Sequence, residues 1–229
     1  FVETLQTHLD GLVQARNNSR VIVAYIDVDR FKDINDTMGH QAGDTLIMAV
    51  AERLQVALAP DDFLARFGGD EFAVLRLATR DEAGADLAER LRGAFEQSFD
   101  VWGQHVRMTC SIGVATAPDH GVSPQELMRH ADIALYQGKN QGRDRAMFFC
   151  AEMAAEVEQR REVELDLQEA MEAQALSLYY QPVVSCADGR VKGLEALLRW
   201  RHPTKGDISP GVFVPIAEEA GLMPALGGY

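Results

Sequence analysis

The chain has few cysteines, few aromatic residues and no long apolar run. The scarcity of cysteine argues against a disulfide-stabilised protein, and the lack of a long apolar run argues against a membrane-spanning segment in this sequence. Its three cysteines, Cys110, Cys150 and Cys186, lack metal-ligand spacing and cannot all pair with one another. This pattern indicates reduced thiols in a cytoplasmic protein. No apolar stretch approaches the ~20 residues that span a bilayer, and no signal peptide is visible. We therefore expect membrane contact only through parts of a parent protein outside this sequence.

Positive charge is also scarce. Lysine and arginine total 22 against 35 aspartate and glutamate residues, so the formal net charge is −13. A broad basic surface for nucleic acid or anionic membrane is therefore not expected, although a local phosphate pocket remains compatible. A length of 229 residues with 47% hydrophobic content suits one complete domain and part of another.

An octapeptide, ARFGGDEF at residues 65–72, predicts a β-hairpin. Short apolar runs flank it, and Gly68-Gly69 is a favoured two-residue turn. Glycine there lets a polyanion approach the backbone, and two carboxylates, Asp70 and Glu71, follow directly. Taken alone, the Gly-Gly pair favours a plain hairpin whose acidic residues face solvent, and only the rest of the sequence argues against that interpretation.

A second acidic segment lies upstream. Residues 21–26 form an apolar, mostly β-branched run that ends in Asp27-Val28-Asp29, as expected for a buried strand that delivers carboxylates to its end. Magnesium that acts on nucleotide phosphates is held by one or two carboxylates plus substrate oxygens. Asp27 and Asp70 are predicted to be that pair, with Mg²⁺ or Mn²⁺ as the ion. Asp29 is also explained as a turn former.

Four ordered segments carry a family resemblance: IDVDRFKDINDTMGHQAGD (26–44), ARFGGDEF (65–72), SIGVA (111–115) and ADIALYQGKNQGRD (131–144). Together they resemble the GGDEF family of diguanylate cyclases over roughly residues 1 to 150. The resemblance implies an α/β (α+β) palm, a mainly antiparallel central sheet with surrounding helices. It also implies condensation of two GTP into cyclic di-GMP, with loss of two pyrophosphates, by a homodimer.

The resemblance assigns catalytic roles to four positions. Asp27 and Asp70 match side-chain ligands of magnesium, and Val28 matches a residue that offers its backbone carbonyl. Glu71 matches the second acidic residue of the signature. It would aid deprotonation of the attacking ribose 3′-hydroxyl or support the metal.

Other positions match substrate contacts. Asn35 and Asp44 match guanine-recognition residues, although Asn35 also suits a turn and Asp44 suits the N-cap of a helix predicted over 45–58. Lys139 and Arg143 match phosphate-binding positions, and their spacing of four predicts one helical face. The expected substrate-binding set further contains Phe31, Lys32, Gly68 and Gly69.

One position departs from the family pattern. The family's product-inhibition motif is RxxD, and here the window 59–62 keeps Asp62 but has Ala59 where the arginine is expected. We therefore expect tight feedback by cyclic di-GMP to be absent.

The remaining predicted elements alternate along the chain. They are a helix to about Arg16, a strand over 21–27, a loop through Gly43, helices over 81–98 and 123–141, strands within 105–115, and a strand over 146–149. From Ala151 to Leu176 the composition lacks Gly and Pro and predicts a linker helix, with an apolar face at Val163, Leu167, Ala170 and Met171.

Residues 177–229 resemble the opening of an EAL-type cyclic di-GMP phosphodiesterase domain, the start of a β/α barrel. Glu195 matches its first metal ligand, and Gln181 and Arg199 match substrate contacts. A barrel of this kind needs roughly 250 residues, so this site is expected to be incomplete.

The predicted organisation is therefore a GGDEF domain at 1–150, a linker helix at 151–176 and an EAL fragment at 177–229. The expected function is a diguanylate cyclase within a tandem GGDEF–EAL signalling protein. The alternative is a GTP-binding regulatory module that controls the phosphodiesterase without turnover of its own.

Overall fold

The computed structural model describes residues 1–14, 19–79 and 83–228. It divides into two compact units, Phe1–Ala154 and Ala155–Tyr229. The first unit contains α1 (Val2–Gln14), β1 (Arg20–Val28), α2 (Phe31–Met38), α3 (His40–Ala57), β2 (Phe63–Gly68), β3 (Glu71–Ala78), α4 (Ala83–Gly93), β4 (Phe99–Val101), β5 (Gln104–Val106), β6 (Cys110–Ala117), α5 (Pro124–Asn140) and β7 (Ala146–Phe148). The unit boundary falls within α6 (Ala151–Glu172), which precedes β8 (Leu176–Val184), β9 (Val191–His202), β10 (Gly206–Ile208), α7 (Pro210–Glu219) and α8 (Met223–Leu226).

A five-stranded sheet in the order β2-β3-β1-β6-β7 organises the first unit. Every neighbouring pair is antiparallel except β6 and β7. The apolar run of β1 makes it the central strand, because both of its faces are buried under helices. This arrangement confirms the expected mainly antiparallel sheet with surrounding helices.

One face of the sheet packs against α3 and α4. Apolar residues at helical spacing, among them Leu46, Val50 and Leu54 of α3, join Ile22 and Ile26 of β1 in one buried cluster. The alternation along β1 sends every second side chain to this cluster, so Tyr25 and Asp27 lie on the opposite face.

Helix α5 approaches that opposite face closely. A Cβ atom built on Gly113 of β6 would lie 1.9 Å from the Ala131 carbonyl oxygen and 2.3 Å from the Leu135 nitrogen. Only glycine leaves room for the helix backbone at this distance, so Gly113 determines how deeply α5 packs onto the sheet.

The predicted loop through Gly43 is wrong. Residues 31–38 form α2 and α3 begins at His40, with Gly39 between the helices at φ 86°. Asp44 consequently lies inside α3 and is not its N-cap, a position that Gly39 occupies. The sequence misleads here because Gly43 suggests a helix break, whereas it is a buried helical residue.

The hairpin turn is also shifted by one residue. Gly68 pairs with Glu71, so the two turn residues are Gly69 and Asp70 rather than Gly68 and Gly69. The ladder has an irregularity between Arg66 and Gly68, and the Arg66 guanidinium donates to the Gly69 carbonyl at 2.7 and 3.1 Å. This shift places Asp70 within the turn itself.

Helix boundaries elsewhere agree in part. Helix α5 begins as predicted, and Ser123 accepts the capping hydrogen bond from the Glu126 amide. Helix α4 ends at Gly93, short of the predicted Ser98, because Arg53 donates to the carbonyls of residues that follow the helix, 94, 97 and 98. The predicted start at 81 and the predicted end of the first helix at 16 lie outside the described residues.

The second unit contains a three-stranded antiparallel sheet in the order β10-β9-β8. The predicted apolar face of α6 packs into its core: Val163, Leu167 and Ala170 are buried together with Trp200 and Phe213. Helix α6 ends at Glu172, before the predicted Leu176, because Leu176 begins β8. Within the part of the chain described, no helix combines the length and apolarity needed to cross a bilayer.

Candidate active site

Three acidic residues meet where β1 ends beside the hairpin turn. Asp27 on β1 lies directly opposite Glu71 on β3, and such cross-strand neighbours have Cβ atoms about 5 Å apart. Asp70 occupies the adjoining turn, and its carbonyl oxygen accepts a hydrogen bond of 3.2 Å from the Val28 amide. The structure thus brings Asp27, Val28, Asp70 and Glu71 into one region.

Asp27 is the most enclosed of these acids, with 8% of its surface exposed. Its carboxylate Oδ2 lies 2.6 Å from the Lys139 ammonium of α5. Burial raises the pKa of Asp27, the hydrogen bond and charge of Lys139 lower it, and the negative charges of Asp70 and Asp29 raise it again, with a net upward shift. One ammonium therefore does not offset the combined effect of burial and of the neighbouring carboxylates on the pKa of Asp27.

The turn after α5 is held by Asp29. Its two carboxylate oxygens accept hydrogen bonds from the Thr109 hydroxyl at 2.7 Å, the Ser111 hydroxyl at 2.7 Å and the Asp144 amide at 3.1 Å. The sequence suggests a turn former at Asp29, but this buried carboxylate links the end of β1 to β6, to the residue before β6 and to the turn after α5. It fixes the turn that carries Arg143 against the end of β1.

Arg143 does not share a helical face with Lys139, contrary to the prediction. Helix α5 ends at Asn140, and Gly142 and Arg143 follow with φ of 110° and 60°. The Arg143 amide donates to the Gly138 carbonyl at 3.0 Å, which closes the helix end. Gly138 within α5 lies close to β7, since a Cβ there would be 3.3 Å from Met147 Cγ.

Sequence reasoning missed Tyr25. It precedes Asp27 by two residues on β1 and therefore shares its face, with its hydroxyl close to Glu71. Burial and the charges of Glu71, Asp132 and Asp27 raise the pKa of Tyr25 to about 12. The two-residue period of a strand was the signal available in the sequence.

The predicted base-recognition residues lie on α2 and α3. Asn35 is half-buried on α2, and Asp44 is exposed on α3 directly after the buried Gly43. Phe31 is buried in the core cluster, whereas Lys32 beside it is exposed. At the hairpin, Gly68 and Gly69 are exposed, and among the described residues nothing beyond their chain neighbours comes within 4 Å of an added Cβ.

Asp62, the remnant of the product-inhibition motif, has structural partners. Arg76 donates to both of its carboxylate oxygens, and the Ala59 amide donates at 2.8 Å. Only 3% of the Asp62 side chain is exposed. Burial raises its pKa, but the hydrogen bonds from Arg76 and Ala59 and the Arg76 charge outweigh burial, so the pKa is lowered.

The residues matched to the EAL domain lie on the second unit's sheet. Gln181 of β8 lies opposite Glu195 of β9, and both are exposed. The Arg199 guanidinium donates to the Leu198 carbonyl at 3.0 Å and lies 5.9 Å from the centre of the Tyr179 ring.

Two family models match the chain. The model described as "Diguanylate cyclase, GGDEF domain" matches residues 2–145, and the EAL domain model matches residues 164–229. The chain therefore belongs to the GGDEF family, and its second unit contains a partial EAL domain.

Individual relatives agree with this assignment. The chain is 42% identical over 227 residues to the bifunctional diguanylate cyclase/cyclic di-GMP phosphodiesterase MucR of Pseudomonas aeruginosa, covering 98% of this chain and 33% of MucR. It is 40% identical over 229 residues to the cyclic di-GMP phosphodiesterase NbdA of the same organism, covering all of this chain and 29% of NbdA. The chain thus spans about a third of the length of these curated relatives.

A solved structure shares the fold of the first unit. The GGDEF domain of PA1120 (YfiN or TpbB) from Pseudomonas aeruginosa superposes with a TM-score of 0.63 at 34% identity. The match covers 66% of this chain and 93% of that one.

Proposed function

We propose that the first unit condenses two GTP molecules into cyclic di-GMP with release of two pyrophosphates. The observation that carries the proposal is the pairing of Asp27 with Glu71 beside Asp70 in the turn. Carboxylates on paired strands are what an in-line phosphoryl transfer assisted by metal ions requires. The similarity to MucR, which is named as a bifunctional cyclase and phosphodiesterase, supports the same activity.

The donors at this position fit a divalent cation. Carboxylate and carbonyl oxygens suit Mg²⁺ or Mn²⁺, and Asp27 and Asp70 with the Val28 carbonyl would hold it. Among the residues that the structure describes, no three His, Cys, Asp or Glu side chains form a metal-binding group, so phosphate oxygens would complete the shell. When bound, the cation would acidify the attacking hydroxyl and neutralise charge on the leaving pyrophosphate.

The protein's own groups would bind and orient the nucleotide. Glu71 would accept the proton of the ribose 3′-hydroxyl, with Tyr25 holding its carboxylate. Lys139 and Arg143 would bind phosphate oxygens. The open backbone at Gly68 and Gly69 would allow the phosphates to approach closely.

The base would be read on the other side of the sheet end, by α2 and α3. A guanine edge presents two adjacent donors, N1–H and the 2-amino group, beside one acceptor. The Asp44 carboxylate and the Asn35 carboxamide complement these groups, and adenine would leave them unpaired. Because each chain would hold one GTP, a homodimer must bring two nucleotides together.

A regulatory function is the second candidate. NbdA, which matches the whole chain, is named as a phosphodiesterase alone. In that case the first unit would bind GTP with magnesium and control a phosphodiesterase without turnover.

Product analysis separates the two functions. The chain is incubated with GTP and Mg²⁺, and in parallel with ATP and Mg²⁺, and nucleotides are resolved by chromatography and mass spectrometry. Cyclic di-GMP from GTP alone, with two pyrophosphates per product, supports the cyclase. GTP that binds but stays unchanged at every chain concentration favours the regulatory module.

A further inference from the structure

Gly43 lies against the side chain of Asn35. A Cβ atom built on Gly43 would stand 1.9 Å from the Asn35 carboxamide oxygen and 3.0 Å from its Cγ. The next neighbour, Phe31 Cζ, would be 3.1 Å away. A methyl group cannot occupy the same space as the carboxamide, so the present position of Asn35 requires glycine at 43.

The surroundings restrict where the carboxamide could go instead. Phe31 belongs to the buried core cluster, and Gly43 itself is buried on α3. The Asn35 backbone is held as well, because its carbonyl accepts the Gly39 amide at 2.9 Å where α2 ends. The group most able to move in response to a larger residue at 43 is the Asn35 side chain, which is half-buried and ends in a rotatable amide.

The effect of a larger residue at a glycine position depends on whether the nearest atoms belong to a side chain or to the backbone. At Gly113 the obstacle is helix backbone, so substitution there would disturb packing. At Gly43 the two nearest obstacles belong to side chains, the Asn35 carboxamide and the Phe31 ring. Substitution would therefore displace the Asn35 carboxamide first, because it would be closest to the added Cβ.

We propose that Gly43 is a positioning residue for base specificity. Because it lacks a side chain, it leaves the space in which the Asn35 carboxamide lies. We call the region of Asn35 and Asp44 the base-binding corner. The inference rests on the proposed function, since it assumes that this corner receives a guanine base. It assigns Gly43 no contact with the nucleotide. Gly43 acts through Asn35, whose carboxamide oxygen is the atom nearest to an added Cβ.

Gly43→Ala should weaken binding of a non-hydrolysable GTP analogue roughly tenfold, as expected for one lost base hydrogen bond. The preference for GTP over ATP should fall by a similar factor, while kcat at saturating GTP changes much less than KM. Gly11→Ala is the matched control, because it adds the same methyl group to helix α1 at a position where, apart from the helix's own backbone, no described residue comes within 4 Å of the added Cβ.

Epistasis tests the route of the effect. In an Asn35→Ala background the obstructed group is absent, so adding Gly43→Ala should change neither analogue affinity nor base preference further. A second loss of affinity in the double variant would overturn the inference, as would a Gly43→Ala variant that discriminates GTP from ATP like the wild type.

Thermal unfolding of every variant serves as the control that the variant is folded. If Gly43→Ala alone fails to fold, the double variant should fold, and failure of both would show that Gly43 serves the core instead of Asn35. A wild-type chain that binds no guanine nucleotide would refute the proposed function and the inference with it. A wild type that binds, beside an unaffected Gly43→Ala, refutes the inference alone.

Discussion

The Lys139 ammonium lies 2.6 Å from a carboxylate oxygen of Asp27, so a cation matched to phosphate binding contacts an acid matched to metal binding. The contact joins α5 to the end of β1, and the glycine at 113 makes it possible by admitting the helix backbone. The Lys139 ammonium therefore compensates part of the negative charge at the end of β1.

Lys139→Met should lower kcat/KM for GTP by roughly 10- to 100-fold, the effect of losing one charge-assisted hydrogen bond of about 1.5–3 kcal/mol. Steady-state rates of cyclic di-GMP formation measure this. Lys192→Met, which removes an exposed lysine of the second unit, is the control. Equal rates for both variants would show that Lys139 does not contribute to the reaction.

Asp44→Ala should reduce the preference for GTP over ATP without destabilising the fold. Asp44 is exposed inside α3 and caps nothing, so the free energy of unfolding should change by no more than about 0.5 kcal/mol. Competition binding with both nucleotides and chemical denaturation give the two values. Glu89→Ala, at an exposed position of α4, controls for loss of a helical charge, and an unchanged base preference would contradict the assignment.

Breaking the Asp62–Arg76 pair should destabilise the first unit. The two side chains are 3% and 11% exposed, so Arg76→Met leaves a buried carboxylate without its cation, with the Ala59 amide still donating to it, at a cost of about 3–5 kcal/mol. Arg92→Met breaks the exposed pair with Asp144 and should cost less than about 1 kcal/mol. Denaturant unfolding at pH 7 compares them, and equal costs would show that the buried pair adds nothing.

The same pair predicts a pH dependence. The pKa of Asp62 is lower in the folded chain than its ordinary value, so the folded state binds its proton less readily than the unfolded state. The stabilisation is therefore complete above the unfolded pKa of about 3.9 and is lost as pH falls through the folded pKa. The difference in stability between wild type and Arg76→Met should begin to shrink as pH falls below about 4, and a constant difference down to pH 2 would contradict this.

Tight product feedback should be absent. Ala59 supplies no guanidinium, and Asp62 is occupied by Arg76, so neither residue is available to cyclic di-GMP. With the GTP pocket filled by a non-hydrolysable analogue, calorimetric titration of cyclic di-GMP should give no high-affinity binding. Ala59→Arg alone should restore little, because Asp62 remains paired. Tight binding to the wild type that depends on Asp62 would show a rebuilt site.

The sequence predicts those parts of the site that depend on local pattern. The β-branched run before Asp27 and the glycines before Asp70 indicate a strand end and a hairpin, and both are present. The three groups that donate hydrogen bonds to the Asp29 carboxylate belong to residues 80 or more positions away in the sequence, and no local pattern reveals them. A glycine explains the wrongly predicted loop: Gly43 suggests a helix break, but it is buried within α3 against the Asn35 side chain.

The most direct test of the two-carboxylate site is a comparison of wild type with Asp70→Asn, in which GTP-analogue binding and cyclic di-GMP formation are measured on the same preparations with Mg²⁺. The amide keeps the shape of the turn but removes the charge that would hold the cation. We expect wild type to form cyclic di-GMP and Asp70→Asn to bind the analogue without measurable product. Product formation by Asp70→Asn at the wild-type rate would contradict the account.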